Sequence, residues 1–172
     1  MPGYSLKSYH TAFARMGASI RNTLLLPLLA LVIIIILSVL IAYIVVRIKG
    51  KLAAAIDVFT MVPFILPGVV IGIALLTGFG NGVMGSNFLV LGGSMWIVIV
   101  SFVIRRLPYT LRSATSTLQS LPISLEEASY SLGASKFKTF VQITLPLMMR
   151  GVVAGSILSY VTLISELSSS II

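Results

Sequence analysis

Residues 121–146 read LPISLEEASYSLGASKFKTFVQITLP, the one long water-compatible stretch between apolar runs of membrane length. Ser124 and Glu127 have the S-x-x-E spacing of a capping box, in which the serine hydroxyl accepts from the amide of residue 127 and the glutamate carboxylate accepts from the amide of Ser124. That spacing predicts a short helix from Leu125, with Leu125, Ala128 and Leu132 on one face. Gly133 follows where a left-handed residue would close the helix. Ser135 can cap a second short helix, whose apolar face carries Phe137, Phe140 and Val141 beside Lys136 and Lys138. Pro146 then suits the first turn of another helix. Two short helices joined at a glycine are the expected result.

The flanking sequence reads as a membrane protein. Of 172 residues, 58% are hydrophobic and only 9% charged, with a mean hydropathy of +1.10, far from soluble composition. With no cysteine and a single histidine, His10, thiolate chemistry is excluded and little remains for a metal or an acid–base site. No catalytic, cofactor-binding or metal-binding set is expected. The net charge of +8 is divided among loops beside apolar runs, which fits topology better than nucleic acid. A polar lead, residues 1–22, precedes an uncharged run over 23–46, long enough to cross a hydrocarbon core. A second span, 58–76, holds Pro63 and Pro67 one turn apart, each removing a backbone donor, so a kinked helix beside a cavity is expected. Gly68 and Gly72 in it form a GxxxG suited to close packing. Gly80, Gly82 and Gly85 spell G-x-G-x-x-G, but without the strand–turn–helix context of a dinucleotide site they read as a connecting loop. A third span over 88–104 ends at Arg105 and Arg106, and a fourth covers 146–165. The fold class is therefore all-α, a polytopic transmembrane bundle of about four spans with a helix-turn-helix loop over 105–145.

Glu127, Ala128, Gly133, Ile143, Leu145 and Pro146, in EASYSLGASKFKTFVQITLP, resemble in register the EAA loop of binding-protein-dependent ABC importer permeases of the type I class. The run PFILPGVVIG is similar to the corresponding span of that family, and ISELSSSII to the ferric-iron subgroup. The resemblance implies a cytosolic loop that docks on ABC-type ATPase subunits, with ATP bound there and not on this chain. It also implies a second permease half, a periplasmic solute-binding protein, a multi-pass place in the bacterial inner membrane among its lipids, and ferric iron as solute, ahead of polyamines or thiamine. The sequence departs from the family pattern at Ser129, where a second alanine is common. The lead is similar to the segment preceding the second half of fused permeases, so the chain is expected to be part of such a half, truncated at its C-terminus. If Ser124 and Glu127 only cap a surface helix, the box by itself implies no partner.

Charge counting orients the bundle independently of the family. The loops after the first and third spans hold Arg47, Lys49, Lys51, Arg105, Arg106, Arg112, Lys136, Lys138 and Arg150, against Lys7, Arg15 and Arg21 on the other side. The nine belong in the cytoplasm, leaving the lead in the periplasm. Glu166, about 30 Å along the helix from Pro146, is expected near the far interface. It is either a solvated end residue or, with Pro63 and Pro67, part of the translocation path, helping a cation pass. The leading function is a permease subunit and not an enzyme. The alternatives are a secondary transporter or channel subunit, or a non-functional remnant.

Overall fold

The computed structural model describes residues 7–48, 50–80 and 94–166, and the regular elements among them are all helical. Helix α1, Lys7–Tyr43, runs on through a wide π-turn, Ile44–Ile48. The polar lead and the first span are thus one rod from Lys7, with no break at residues 22–23. Gly50, at φ 119°, then turns the chain in a backbone region that favours glycine.

Helices α2, Lys51–Ile65, and α3, Gly68–Phe79, cover the stretch expected as the second span. Their axes differ by 108°. The two prolines act unequally: Pro63 lies inside an unbroken α2, whereas the break falls at Leu66–Pro67. Leu66 is extended, at φ −81° and ψ 136°, because a proline ring disfavours helical backbone in the residue before it. The glycine pattern over 80–85 falls mostly outside the described residues.

Helix α4, Met95–Ser120, does not stop at Arg105. Residues 88–93 of the expected third span lie outside the described residues. Beyond Ile104 the hydropathy falls but the helical period does not. Leu111, Ala114, Thr115 and Leu118 continue a buried stripe at three- and four-residue spacing, so nothing ends the helix. The interhelical segment therefore narrows from 105–145 to 121–144.

Two short helices follow, α5, Ser124–Ser131, and α6, Lys136–Thr139. A second π-turn, Phe140–Thr144, joins α6 to α7, Leu145–Ile164. Pro146 falls in the first turn of α7, as expected, but the helix is also continuous with what precedes it, so that Lys136–Ile164 is one 29-residue rod. The Leu145 amide bonds to the Phe140 carbonyl, five residues back. That widened turn makes room just ahead of a ring with no amide to give.

Helix α4 lies between α1 and α7. One buried cluster joins Val39, Ala42 and Val46 of the first rod to Leu111, Ala114 and Leu118 of α4 and Met148 and Val152 of α7. A second joins Ala30 and Ile34 to Ile99, Phe102, Val103 and Leu163. These pairings make α1 parallel to α4 and α7 antiparallel to both. Gly151 and Gly155 bring α7 against Thr110, Ser113 and Thr117 of α4. The Thr110 and Ser159 hydroxyls pair at 2.9 Å, and Ser113 donates to the Gly151 carbonyl at 2.7 Å.

The outer surface is apolar. Leu28, Leu29, Val32 and Ile36 of α1 and Ile157, Leu158 and Val161 of α7 are exposed, an area that water would not tolerate in a monomer. Two rods, Ile20–Ile48 and Lys136–Ile164, are long and apolar enough to span a membrane, and the bent α2–α3 pair counts as a third if it is one span. Helix α4 has the length, but Arg105, Arg106 and Arg112 interrupt its apolar sequence.

Candidate functional site

The α5–α6 hairpin stands at the end of the bundle where α1 and α4 finish. Its first helix starts differently from expectation. The Pro122 carbonyl accepts from Leu125, and the Ile123 carbonyl accepts from Glu126 and Glu127 at 2.9 and 3.1 Å. The helix begins at Ser124, with helical Ile123 in the cap position and no side-chain cap. The capping box is therefore not formed, because the rigid Leu121–Pro122 turn already presents carbonyls to the first amides. Both glutamates stand in the first turn, where the helix dipole favours negative charge.

The turn between the helices is as expected. Gly133 has φ 83°, its amide bonds to the Tyr130 carbonyl, and the Ala134 amide reaches the Ser129 carbonyl at 3.1 Å. This is the paired closure of a glycine-terminated helix. The Ser135 hydroxyl accepts from the Lys138 amide at 3.3 Å, capping α6.

The two faces of the hairpin are reversed relative to an ordinary surface helix. Leu125, Ala128 and Leu132 do share a face, and it points outward, with Leu132 88% exposed and Phe137 of α6 78% exposed. The buried face is polar, made by Glu126, Ser129 and Thr139. Ser129 and Thr139 hydroxyls pair at 2.9 Å across the hairpin, so the departure at Ser129 supplies the bond between its two helices. The Glu126 carboxylate accepts from Arg47 Nε at 2.8 Å and from the Thr144 hydroxyl at 3.1 Å. Phe140 turns inward, edge-on to Tyr43 at 5.0 Å.

Of the six residues singled out from sequence, Glu127, Ala128 and Gly133 are exposed on the hairpin. Ile143 and Leu145 are half-buried at its foot, and Pro146 is exposed at the start of α7. They do not converge on one point. Glu126 went unnoticed because nothing in the local sequence distinguishes it from its neighbour. A helix turns about 100° per residue, so one of the pair faces in and the other out.

A second polar group lies within the helices. Glu166 stands just past the end of α7, Leu145–Ile164. Its side chain is 2% exposed and pairs with both Arg105 and Arg106, ten or so residues inside α4. It is therefore not a solvated residue: two guanidiniums engage its carboxylate. Arg106 also lies 5.5 Å from the centre of the Tyr109 ring, whose edge-to-face partner at 5.3 Å is Phe64, next to Pro63. The bent span and the charge cluster thus meet through Tyr109. Pro67, at the break itself, is exposed. On the same side of α4, Arg112 pairs with Asp57 of α2 at 3.6 Å. Among the described residues no group of three or more His, Cys, Asp or Glu side chains could hold a metal ion.

Residues 34–170 match the family described as the binding-protein-dependent transport system inner membrane component. The chain belongs to that family, the permeases of ABC transport systems. It is 34% identical over 152 residues to the probable transport system permease protein NifC of Clostridium pasteurianum, covering 84% of this chain and 52% of that one. It is 35% identical to the putative ferric transport system permease protein FbpB 1 of Haemophilus influenzae, covering 97% and 26%. Against the probable sulfate transport system permease protein cysT of Prototheca wickerhamii it is 32% identical, covering 86% and 60%. The chain thus spans between about a quarter and three-fifths of the length of these relatives. A ferric and a sulfate system both appear among them, so the family is fixed and the cargo is not.

Proposed function

We propose that this chain forms membrane-spanning helices of an ATP-driven importer of the bacterial inner membrane, and that the α5–α6 hairpin is where an ABC-type ATPase subunit docks. The reversed hairpin carries this reading. Buried hydrogen bonds hold its polar face to the bundle while Leu132 and Phe137 stand in solvent, an arrangement that favours an apolar partner surface. Glu127, Ala128 and Gly133 then belong to the docking face, and Ile143, Leu145 and Pro146 to its foot. ATP binds the partner, a second permease half completes the pathway, and a periplasmic solute-binding protein delivers the cargo. Four spans, with α4 as the third, place the lead outside and the hairpin in the cytosol. Taking Arg105, Arg106 and Arg112 of α4 off the loop count leaves six basic residues against three, which favours the same orientation.

Purification of the tagged, full-length transporter from native membranes tests the docking. An ABC-type ATPase is expected with the parent and lost with the exposed pair Leu132→Asp/Phe137→Asp and with Gly133→Val. Unchanged recovery from all of them would remove the hairpin as the docking surface.

The resemblance to ferric permeases supports iron(III) as cargo, with Pro63, Pro67 and Glu166 along the path. A second reading, a small oxyanion such as sulfate, is favoured by the charge cluster. Two guanidiniums meet in that cluster, and guanidinium is the side chain best matched to oxyanion geometry. Uptake of labelled iron(III) against labelled sulfate by vesicles holding the full-length transporter decides between them.

A further inference from the structure

Both π-turns among the described residues end on the same carboxylate. Arg47 lies in the first, Ile44–Ile48, which closes the α1 rod; Thr144 ends the second, Phe140–Thr144, which leads into α7. Glu126 Oε1 accepts from Arg47 Nε at 2.8 Å and from Thr144 Oγ1 at 3.1 Å, and Arg47 Nη2 donates to the Leu121 carbonyl at 3.2 Å. The ion pair is shielded, with side chains 11% and 7% exposed. Inserted π-turns are frequent at functional positions, since one residue of register can be taken up or released there. A charge-assisted bond is shorter and more directional than an apolar contact. Here such bonds tie one face of α5 to the two turns best able to change register.

We infer that Glu126 is the positioning residue through which movement of the docked hairpin reaches the spans, with Arg47 the arm to α1 and Thr144 the arm to α7. The exposed neighbour Glu127 faces the partner and takes no part in this link. The inference rests on the docking role proposed above. A push on the outer face of α5 turns its inner face, and the carboxylate pulls on both π-turns together. The two spans then respond as a pair.

The test uses the full-length transporter purified with its ATPase in nanodiscs. Spin labels are placed at Ser124 of α5 with Val153 of α7, and at Ser124 with Leu40 of α1, all exposed positions. In the parent, ATP with vanadate is expected to shift both distances. Glu126→Gln is expected to keep the ATPase bound and hydrolysing while the ratio of shifted to unshifted populations falls about 2- to 30-fold. Thr144→Val, which leaves the ion pair intact, is expected to lose only the α7 shift and serves if Glu126→Gln fails to assemble. Restoration of both shifts in Arg47→Glu/Glu126→Arg would support the link. The inference is overturned if Glu126→Gln or Thr144→Val shifts as the parent does with ATPase bound. It is also overturned if Glu127→Gln, with ATPase bound, loses the shift equally. A parent that brings no ATPase refutes the docking role itself, and the link falls with it.

Discussion

Replacing Gly155 by alanine tests the contact on which the bundle depends. A Cβ built at Gly155 would lie 2.8 Å from Thr110 Cα and 3.2 Å from the Tyr109 carbonyl oxygen. Both atoms belong to the backbone of α4 and cannot swing aside. Ordinary carbon contact needs about 3.5–4 Å, and a gap of 0.5–1 Å already forfeits a quarter to a half of a dispersion contact. Moving the helices apart by that amount also stretches the Thr110–Ser159 bond, 2.9 Å, and the bond from Ser113 to the Gly151 carbonyl, 2.7 Å. Overpacking of this kind costs about 1–3 kcal/mol. Gly78 of α3 is the internal control, because nothing lies within 4 Å of its added Cβ. Gly78→Ala is expected to gain about 0.5–1 kcal/mol from helix propensity. Unfolding in mixed micelles at rising SDS fraction, followed by circular dichroism, measures both. Opposite signs are expected. A Gly155→Ala chain within about 0.5 kcal/mol of the parent, the scatter of ordinary surface changes, would refute the close α4–α7 packing.

Three further substitutions probe the rest of the molecule. Glu166→Gln strips two buried guanidiniums of their carboxylate and is expected to destabilise by about 3–5 kcal/mol, the usual cost of breaking a buried pair from one side; the same micelle titration reads it. Ser129→Ala should cost about 1–3 kcal/mol by leaving the Thr139 hydroxyl unpaired, while Ser129→Ala/Thr139→Val should cost less than the two single changes added together, a difference that a double-mutant cycle measures. Pro67→Ala frees Leu66 to become helical, so spin labels at Val58 and Thr77, roughly 17 Å apart across the 108° bend, should move toward the roughly 28 Å of a straight helix; an unchanged distance would mean that packing, and not the proline, holds the bend.

Features with a local cause were legible in the sequence. Gly133 and Ser135 predicted the turn of the hairpin, and both act as expected because a left-handed residue and a hydroxyl cap work within four residues of chain. Pro67 predicted a kink, although not that Pro63, one turn earlier, would leave α2 unbroken. Features decided across the fold were not legible. The pairing of Glu166 with Arg105 and Arg106 joins residues about sixty positions apart, and hydropathy reads those arginines as the end of a span. Continuity from α6 through the second π-turn into α7 was missed for a related reason. A proline flags a helix start, yet a rod can carry one when the turn ahead of it widens. The capping box failed because Pro122 had already organised the amides that Ser124 would have served.

The reversed hairpin also explains why its anchoring face is polar. Apolar contacts are non-directional, so an apolar face against the bundle would permit α5 to slide and roll at little cost. Hydrogen bonds weaken steeply with misalignment. Glu126 and the Ser129–Thr139 pair therefore fix the angle of α5 relative to the α1 and α7 rods, whereas Leu132 and Phe137 on the outer face can adapt to whatever surface receives them. The proposed docking role would need that division: a stiff joint on the side of the bundle and an adaptable one on the side of the partner. The position that looks most conservative in sequence, serine for the common alanine at 129, belongs to the stiff joint, and its loss should loosen the hairpin without altering the face that it presents.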